Sequence, residues 1–216
     1  SPYWAMSDYG IISTGAASVS VYPTLIQSQI QFILKDSQSI GIFVEDDEQF
    51  QKTNEIWEGC KDLQFIIVMD NSYQGDNPDI MNFSDFLALG KSQFEDSEIN
   101  FREIIKEAKP DDLLTLIYTS GTTGAPKGVM LSHNNMVSNV KDVTDEVEFR
   151  DSDIFLSFLP LSHSFERMGG HFTAFSRGAT VYYAESLEKL TDNMSDVKPT
   201  IMLSVPRLYE KMYSRI

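Results

Sequence analysis

The order of apolar and polar positions switches between helix and strand periods along the first third of the chain. Helical spacing alternates with short apolar runs that end at turn residues. In order, the predicted elements are a helix at 3–16, a strand at 18–22, a helix at 24–36 capped by Thr24, a strand at 40–44, a helix at 48–57 and a strand at 65–69. This β-α-β-α-β order predicts a parallel sheet with right-handed crossovers.

The alternation weakens between residues 71 and 110 and then resumes. The weak part is turn-rich and predicts a surface excursion with helices at 83–89 and 99–108. Beyond it, the predicted elements are strands at 116–118, 129–131, 154–159, 179–183 and 200–204, and helices from 134, at 165–175, at 187–194 and from Pro206. The pattern predicts an α/β fold class, with mainly parallel sheets, helices on both faces, and sub-parts at about 1–110 and 111–216.

The composition of the chain narrows the classes of molecule that it is expected to bind. The formal net charge of −15 argues against nucleic acids and anionic membranes, because both are bound by clustered Lys and Arg. The single cysteine, Cys60, excludes an internal disulfide and a CxxC metal site. No apolar run approaches the ~18 residues of a membrane span. A cytoplasmic location is expected, while peripheral membrane association and oligomeric state stay open.

A run of small residues separates the strands predicted at 116–118 and 129–131. It consists of Thr119, Ser120, Gly121, Thr122, Thr123 and Gly124, with Lys127 just beyond. Glycine permits backbone angles that expose N–H groups in a concave array, and such arrays bind anions. The spacing does not fit G-x-x-x-x-G-K-[ST], and a strand rather than a long helix follows. The run indicates a phosphate cradle, with a hairpin loop that binds no ligand as the alternative.

A second group of residues follows the strand predicted at 154–159. The string LPLSHSFERMGG places His163 three residues after the proline that ends this strand. Ligands of open α/β sheets bind at the carboxyl ends of strands, so His163 is expected to face a substrate. Gly169 and Gly170 predict a helix packed very closely against its neighbours. The alternative for His163 is an ordinary packing histidine.

Other polar residues near these strings have simpler interpretations. His133 is expected to cap or pack the helix after the loop, and His171 has no metal-ligand spacing to His163. Glu166 and Arg167 are interpreted either as an ion pair near the site or as a solvated helix face.

Several strings together resemble one protein family. YTSGTTGAPKGV resembles the phosphate-loop signature Y-T-S-G-T-T-G-x-P-K-G-V of the adenylate-forming superfamily, the AMP-binding enzymes. LPLSHSFERMGG is similar to the corresponding segment of bacterial long-chain fatty acid–CoA ligases. GAASVSVYPTL and SVPRLYEKMYSRI resemble two further family segments, with Ser20 where the family usually has proline.

The resemblance implies a function and a set of site residues. The fold would be part of the large N-terminal domain of an adenylate-forming enzyme, a partial AMP-binding domain over residues 1–216. The reaction would be ATP-dependent activation of a long-chain fatty acid to an acyl-adenylate and then to acyl-CoA, with ATP, Mg²⁺ and CoA as cofactors and co-substrates. Residues 119–124 and Lys127 would hold the ATP phosphates. His163, Ser164 and Phe165 would lie at the acyl and nucleotide pocket.

Several family motifs lie outside these residues. The Y-G-x-T-E segment with its magnesium-binding Glu, the ribose-binding Asp and the catalytic Lys of the C-terminal domain are not found among the 216 residues. No metal ligand or catalytic residue is therefore assigned, the start of the domain is expected to be missing too, and the isolated chain is expected to be inactive. Alternatives are an amino-acid- or aryl-acid-activating enzyme and a non-catalytic nucleotide-binding module.

Overall fold

The computed structural model describes residues 1–95, 100–119 and 126–213, apart from the side chains of Lys211 and Met212. Their contacts form two compact units, Ser1–Ser132 and His133–Ile216. Each unit has its own sheet structure and its own core. No helix within these described ranges combines the length and the apolarity needed to cross a bilayer.

Helices and strands alternate through both units, as the periodicity predicts. The helices of the first unit are α1 (Pro2–Ser13), α2 (Gln27–Asp36), α3 (Asp47–Asn54), α4 (Phe83–Glu95) and α5 (Phe101–Glu107), with a 3₁₀ turn at Trp57–Gly59. Its strands are β1 (Ser18–Ser20), β2 (Gly41–Val44), β3 (Phe65–Val68), β4 (Ile80–Asn82), β5 (Leu113–Thr119) and β6 (Lys127–Ser132). The second unit contains α6 (His133–Glu146), β7 (Ile154–Ser157), a π-helix (Glu166–Phe172), α7 (Thr173–Ser176), β8 (Thr180–Tyr183), α8 (Leu190–Val197) and α9 (Pro206–Tyr213).

One sheet of the first unit is entirely parallel and has the order β2-β3-β4. Ile66 and Val68 of β3 are fully buried and pack against Val44, Phe50 and Ile80. The strand β4 lies in the segment that the sequence indicates as a surface excursion. That interpretation is wrong for residues 80–82, because three residues are too few to show a strand period.

The other sheet has the order β1-β5-β6, with β1 parallel and β6 antiparallel to β5. The prediction of one continuous β-α-β-α-β sheet is therefore wrong for β1. Polar contacts explain its place: the Thr115 hydroxyl donates to the Ser18 carbonyl at 2.6 Å, across 97 residues. The Ser18 hydroxyl in turn donates to the Asp8 carboxylate at 2.6 Å. The serines of β1 therefore face the interior, while Val19 is only half-buried.

The pairing of β5 with β1 also affects how the chain divides. β5 and β6 belong to the first unit, whereas the sequence places a looser division near residue 110, ahead of both strands. That sub-division stays a prediction.

The second unit is built around the parallel pair β7 and β8. Phe155 of β7 is buried with Ala174 and Ala179. The strand predicted at 200–204 is absent from the described structure of this unit, which has only a single bridge between Phe155 and Ile201. The Thr200 hydroxyl oxygen accepts the Ile154 amide at 2.9 Å, so a side chain takes the place of a backbone ladder bond.

Two helix starts test the capping predictions. Pro206 opens α9, as predicted. Thr24 does not cap α2, which begins three residues later with Ile26 as its N-cap residue. The Ile26 amide donates to the Gln29 side chain at 3.3 Å, so a residue inside the helix satisfies the amide at its start.

Candidate active site

The phosphate-loop signature connects two strands of the first unit. β5 ends at Thr119, β6 begins at Lys127, and these two residues are paired across the antiparallel ladder. The prediction that a strand follows the loop is confirmed. Thr119 and Lys127 both have exposed side chains. Ser120, Gly121, Thr122, Thr123 and Gly124 lie outside the described residues.

A buried tyrosine anchors the base of this hairpin. The Tyr118 hydroxyl donates to the Asp36 carboxylate at 2.6 Å, and its ring meets Phe32 edge-on, with centroids 6.4 Å apart. Burial, followed by the Asp36 hydrogen bond and charge, raises the pKa of Tyr118, which stays protonated. Gly128 is paired with Tyr118, and a Cβ there would lie 3.0 Å from the Tyr118 ring. The end of β5 is thereby tied to the end of α2.

His163 lies at the start of the helix that follows β7 in the second unit. The His163 Nδ1 accepts the Phe165 amide at 3.2 Å, and the His163 carbonyl accepts the Arg167 amide at 3.0 Å. The imidazole therefore acts as a side-chain N-cap. Because Nδ1 is an acceptor, the neutral ring carries its proton on Nε2. The side chain is exposed, so a hydrogen-bond donor is available at the surface of this unit.

The two neighbours of His163 are exposed as well. Ser164 is exposed, and 42% of Phe165 is accessible. The three predicted pocket residues form one turn at the amino end of the helix. Their role at an acyl and nucleotide pocket stays a prediction.

Glu166 and Arg167 are both buried, at 1% and 0% exposure. The interpretation of this pair as a solvated helix face is therefore wrong. The Ser157 hydroxyl donates to Glu166 Oε1 at 2.5 Å, while the Arg167 guanidinium lies 5.6 Å from the centroid of the Phe172 ring. Burial raises the pKa of Glu166 to about 7, and the Ser157 hydrogen bond opposes part of that rise.

The two glycines after Arg167 allow the close packing that the sequence predicts. A Cβ on Gly170 would lie 2.5 Å from Glu166 Oε1, and a Cβ on Gly169 would collide with the Leu203 side chain. The prediction of a closely packed helix is thus confirmed. The segment is a π-helix: the Thr173 amide donates to the carbonyl of Met168, five residues earlier.

Ser157 and Asp36 are site-supporting residues that the sequence did not single out. Ser157 ends an apolar strand, I-F-L-S, and a hydroxyl residue at the carboxyl end of such an apolar run is the signal that the sequence offered. Asp36 ends an amphipathic helix 82 residues before Tyr118. No local pattern connects residues at that distance.

A surface groove of about 840 Å³ in the first unit contains none of the predicted site residues. Its lining includes Glu55, Glu58 and Asp79, and these carboxylates repel phosphate. The predicted site residues lie elsewhere, at the hairpin in the first unit and, separately, at the His163 turn in the second unit. Within residues 1–95, 100–119 and 126–213, no three His, Cys, Asp or Glu side chains converge as metal ligands.

Comparison with known proteins decides the family. A family model described as "AMP-binding enzyme" matches residues 1–215. The chain belongs to the AMP-binding enzyme family. Its α/β architecture is that of adenylate-forming enzymes, with a TM-score of 0.75 to the crystal structure of the anthranilate CoA ligase AuaEII in complex with anthranoyl-AMP, at 23% identity over 97% of this chain and 39% of that one.

Curated relatives carry the names of long-chain ligases. The long-chain-fatty-acid–CoA ligase ACSBG2 of Xenopus laevis is 32% identical over 99% of this chain and 29% of its own length. The peroxisomal long chain acyl-CoA synthetase 7 of Arabidopsis thaliana is 30% identical over 100% of this chain and 30% of its own length. The chain therefore spans less than a third of the length of these two AMP-binding relatives.

Replacing the hairpin anchor should weaken the first unit. Tyr118→Phe removes the hydrogen bond to Asp36 while keeping the ring, so we expect a loss of about 1 kcal/mol in the free energy of unfolding, because Asp36 is exposed and water can replace the lost partner. Urea unfolding followed by circular dichroism measures this. Tyr182→Phe, at a tyrosine that is 47% exposed, is the matched control. Equal stability of the two variants would contradict the anchoring role.

The buried carboxyl should make stability depend on pH. Since the pKa of Glu166 rises from 4.5 to about 7 on folding, the folded chain keeps a proton that the unfolded chain releases between these values. Stability from this group is present below pH 4.5 and is lost as pH rises to 7, by about 3 kcal/mol. Unfolding midpoints at pH 5 and pH 8 should therefore differ more for the wild type than for Glu166→Gln. Parallel pH profiles of the two proteins would count against a neutral Glu166.

Proposed function

We propose that the natural protein that contains these residues activates a long-chain fatty acid with ATP, forms an acyl-adenylate and releases pyrophosphate, and then transfers the acyl group to CoA with release of AMP. The observation that carries this proposal is the match of the AMP-binding family to residues 1–215. The phosphate-loop signature supports it, because the signature begins on β5 and ends on β6, and these two strands are paired. The names of the ligase relatives support the long-chain substrate and CoA as the acceptor.

The loop performs the electrostatic part of this reaction. A carboxylate and ATP are both anions, so their approach needs fixed positive charge and hydrogen-bond donors. Residues 119–124 hold the β- and γ-phosphates, with the hydroxyls of Thr122 and Thr123 as the principal side-chain donors. Lys127, exposed at the start of β6 and paired with Thr119, supplies positive charge at the base of the loop.

The His163 turn contributes a hydrogen-bond donor. With Nδ1 accepting the Phe165 amide, the neutral imidazole presents Nε2–H to an anionic oxygen of the nucleotide or of the acyl group. Ser164 and Phe165 complete the polar and apolar parts of this turn. Mg²⁺ enters as the complex with ATP, where it offsets the charge of the phosphates. The described residues assign it no protein ligand.

A second candidate activates a different acid. The anthranilate CoA ligase in complex with anthranoyl-AMP shares this fold, so an aryl acid or an amino acid is the competing substrate class. A nucleotide-binding module without catalysis is the third candidate. The cytoplasm stays our proposed location, although one relative is named as peroxisomal.

ATP–pyrophosphate exchange by the natural protein that contains these residues tests the substrate class. We expect exchange to be stimulated by fatty acids and to rise with chain length. Lys127→Ala should raise the KM for ATP about tenfold with a smaller change in kcat, because a charge-assisted contact to phosphate is lost. Lys141→Ala, which removes an exposed ion pair with Asp145, is the control. Stimulation only by aryl or amino acids would disprove the long-chain assignment, and no exchange with any acid would favour the binding module.

The 216 residues alone should not make acyl-CoA. They contain the phosphate loop and the His163 turn but no Y-G-x-T-E segment, so we expect no detectable palmitoyl-CoA from palmitate, Mg·ATP and CoA. Mass spectrometry of the reaction mixture is the measurement. Synthesis of palmitoyl-CoA by this chain would overturn the expectation.

A further inference from the structure

Glu166 joins the two ends of the loop that carries His163. Ser157 is the last residue of β7, and its hydroxyl donates to Glu166 Oε1 at 2.5 Å. The residues from 158 to 165 form the connection between these two partners, and His163 lies on it. One side-chain hydrogen bond therefore closes the base of the His163 loop.

The hydrogen bond between Ser157 and Glu166 affects the imidazole because Glu166 lies in the first turn of the helix that His163 caps. His163 holds the Phe165 amide through Nδ1, and Glu166 is the next residue. The His163 amide also donates to the Pro160 carbonyl at 2.9 Å. The ring orientation therefore depends on backbone that is fixed on one side by the Pro160 turn and on the other by the buried Glu166 side chain.

The carboxyl lies between two strands and its own helix. Tyr183 of β8 is paired with Ser157 of β7, and Glu166 acts electrostatically on the Tyr183 hydroxyl, whose pKa rises to about 12 mainly because of burial. Glu166 Oε2 and the Tyr183 hydroxyl are both buried, and neither has a hydrogen-bond partner among the described residues. A neutral carboxylic acid suits this position, because no hydrogen-bond donor among the described residues compensates a negative charge on Oε2, and burying an uncompensated charge is costly.

Burial is the main influence on the Glu166 carboxyl: it raises the pKa, and the hydrogen bond from the uncharged Ser157 hydroxyl opposes part of that rise. On its own helix, the Arg167 guanidinium lies over Phe172 and the His171 ring packs against Phe172 and Phe175. On α6, which packs against the π-helix, Lys141 is paired with Asp145 at the surface.

We infer that Glu166 is a positioning residue, whose buried side chain holds the His163 turn in its substrate-facing conformation through the hydrogen bond from Ser157. This inference rests on the proposed function, because it assigns Glu166 a role in binding the acyl-adenylate through His163. Glu166 itself touches neither substrate nor the reacting atoms in this arrangement.

Hydrogen exchange of the Phe165 amide, measured by NMR on the 216-residue chain, tests the positioning directly. Exchange is expressed relative to the Ile201 amide, which donates to Ile154 in the same unit, so that global unfolding cancels. We expect Ser157→Ala and Glu166→Ala to accelerate Phe165 exchange about tenfold, because the closing hydrogen bond is lost. Glu166→Gln, which keeps the shape and the acceptor, should stay close to the wild type. Glu185→Gln, at an exposed carboxylate paired with Lys189, is the matched control.

The pH dependence of Phe165 exchange is a second test of the positioning role, and it does not require a destabilised variant. Ionisation of Glu166 favours opening, so relative Phe165 exchange in the wild type should rise about a hundredfold between pH 5 and pH 8 beyond that of Glu166→Gln. Unchanged exchange in Ser157→Ala and Glu166→Ala, or identical pH profiles for the wild type and Glu166→Gln, would overturn the inference.

A ligand arm separates this inference from the proposed function. A long-chain acyl sulfamoyl-adenosine, an analogue of the acyl-adenylate, is titrated by calorimetry into each variant of the natural protein that contains these residues. We expect Glu166→Ala to weaken binding about tenfold and Glu166→Gln and Glu185→Gln to leave it unchanged. If the wild type binds no analogue while the exchange results hold, the proposed substrate fails and the positioning role of Glu166 within the turn stands. If the analogue binds equally to all variants, the positioning role in binding fails.

Discussion

The hydrogen bond from Thr115 to the Ser18 carbonyl is the contact on which the first unit depends. It lies in the interior, where a polar group without a partner is costly. It aligns β1 with β5 although its two residues are 97 positions apart in the sequence. β5 in turn pairs with β6, which places Thr119 opposite Lys127. The geometry at the base of the phosphate loop therefore follows from a buried polar contact at the far end of the same strand.

The same constraint operates at two further polar pairs. Tyr118 is buried with its hydroxyl on Asp36, and Glu166 is buried with one oxygen held by Ser157. Each pair joins one end of a helix to the end of a strand, next to a segment for which we propose a role. Apolar clusters provide most of the stability of both units, whereas these polar pairs determine where the loop ends lie.

Much of the architecture could be predicted from local periodicity. The strands β2, β3 and β7 and the helix from Pro206 lie within the predicted segments, because their apolar runs and turn residues are unambiguous. The strand predicted at 116–118 is confirmed as the centre of the longer β5. The partner of β1 could not be predicted, since pairing between distant strands leaves no local period. The family was recognisable because its signature is long, while the burial of Glu166 and Arg167 was not, because charged residues on a helix are usually exposed.

The π-helix at Glu166–Phe172 has a consequence for how this region tolerates changes in length. A π turn contains one residue more than an α turn, so the segment accommodates an insertion that a regular helix would not. Thr173 and Ala174, the two residues directly beyond the π-helix, are both fully buried. Deleting one residue would return the segment to α-helical spacing and leave these two side chains near the face that they now fill. Gly169 and Gly170, by contrast, leave no room for a Cβ, so the composition of this turn is more tightly constrained than its length.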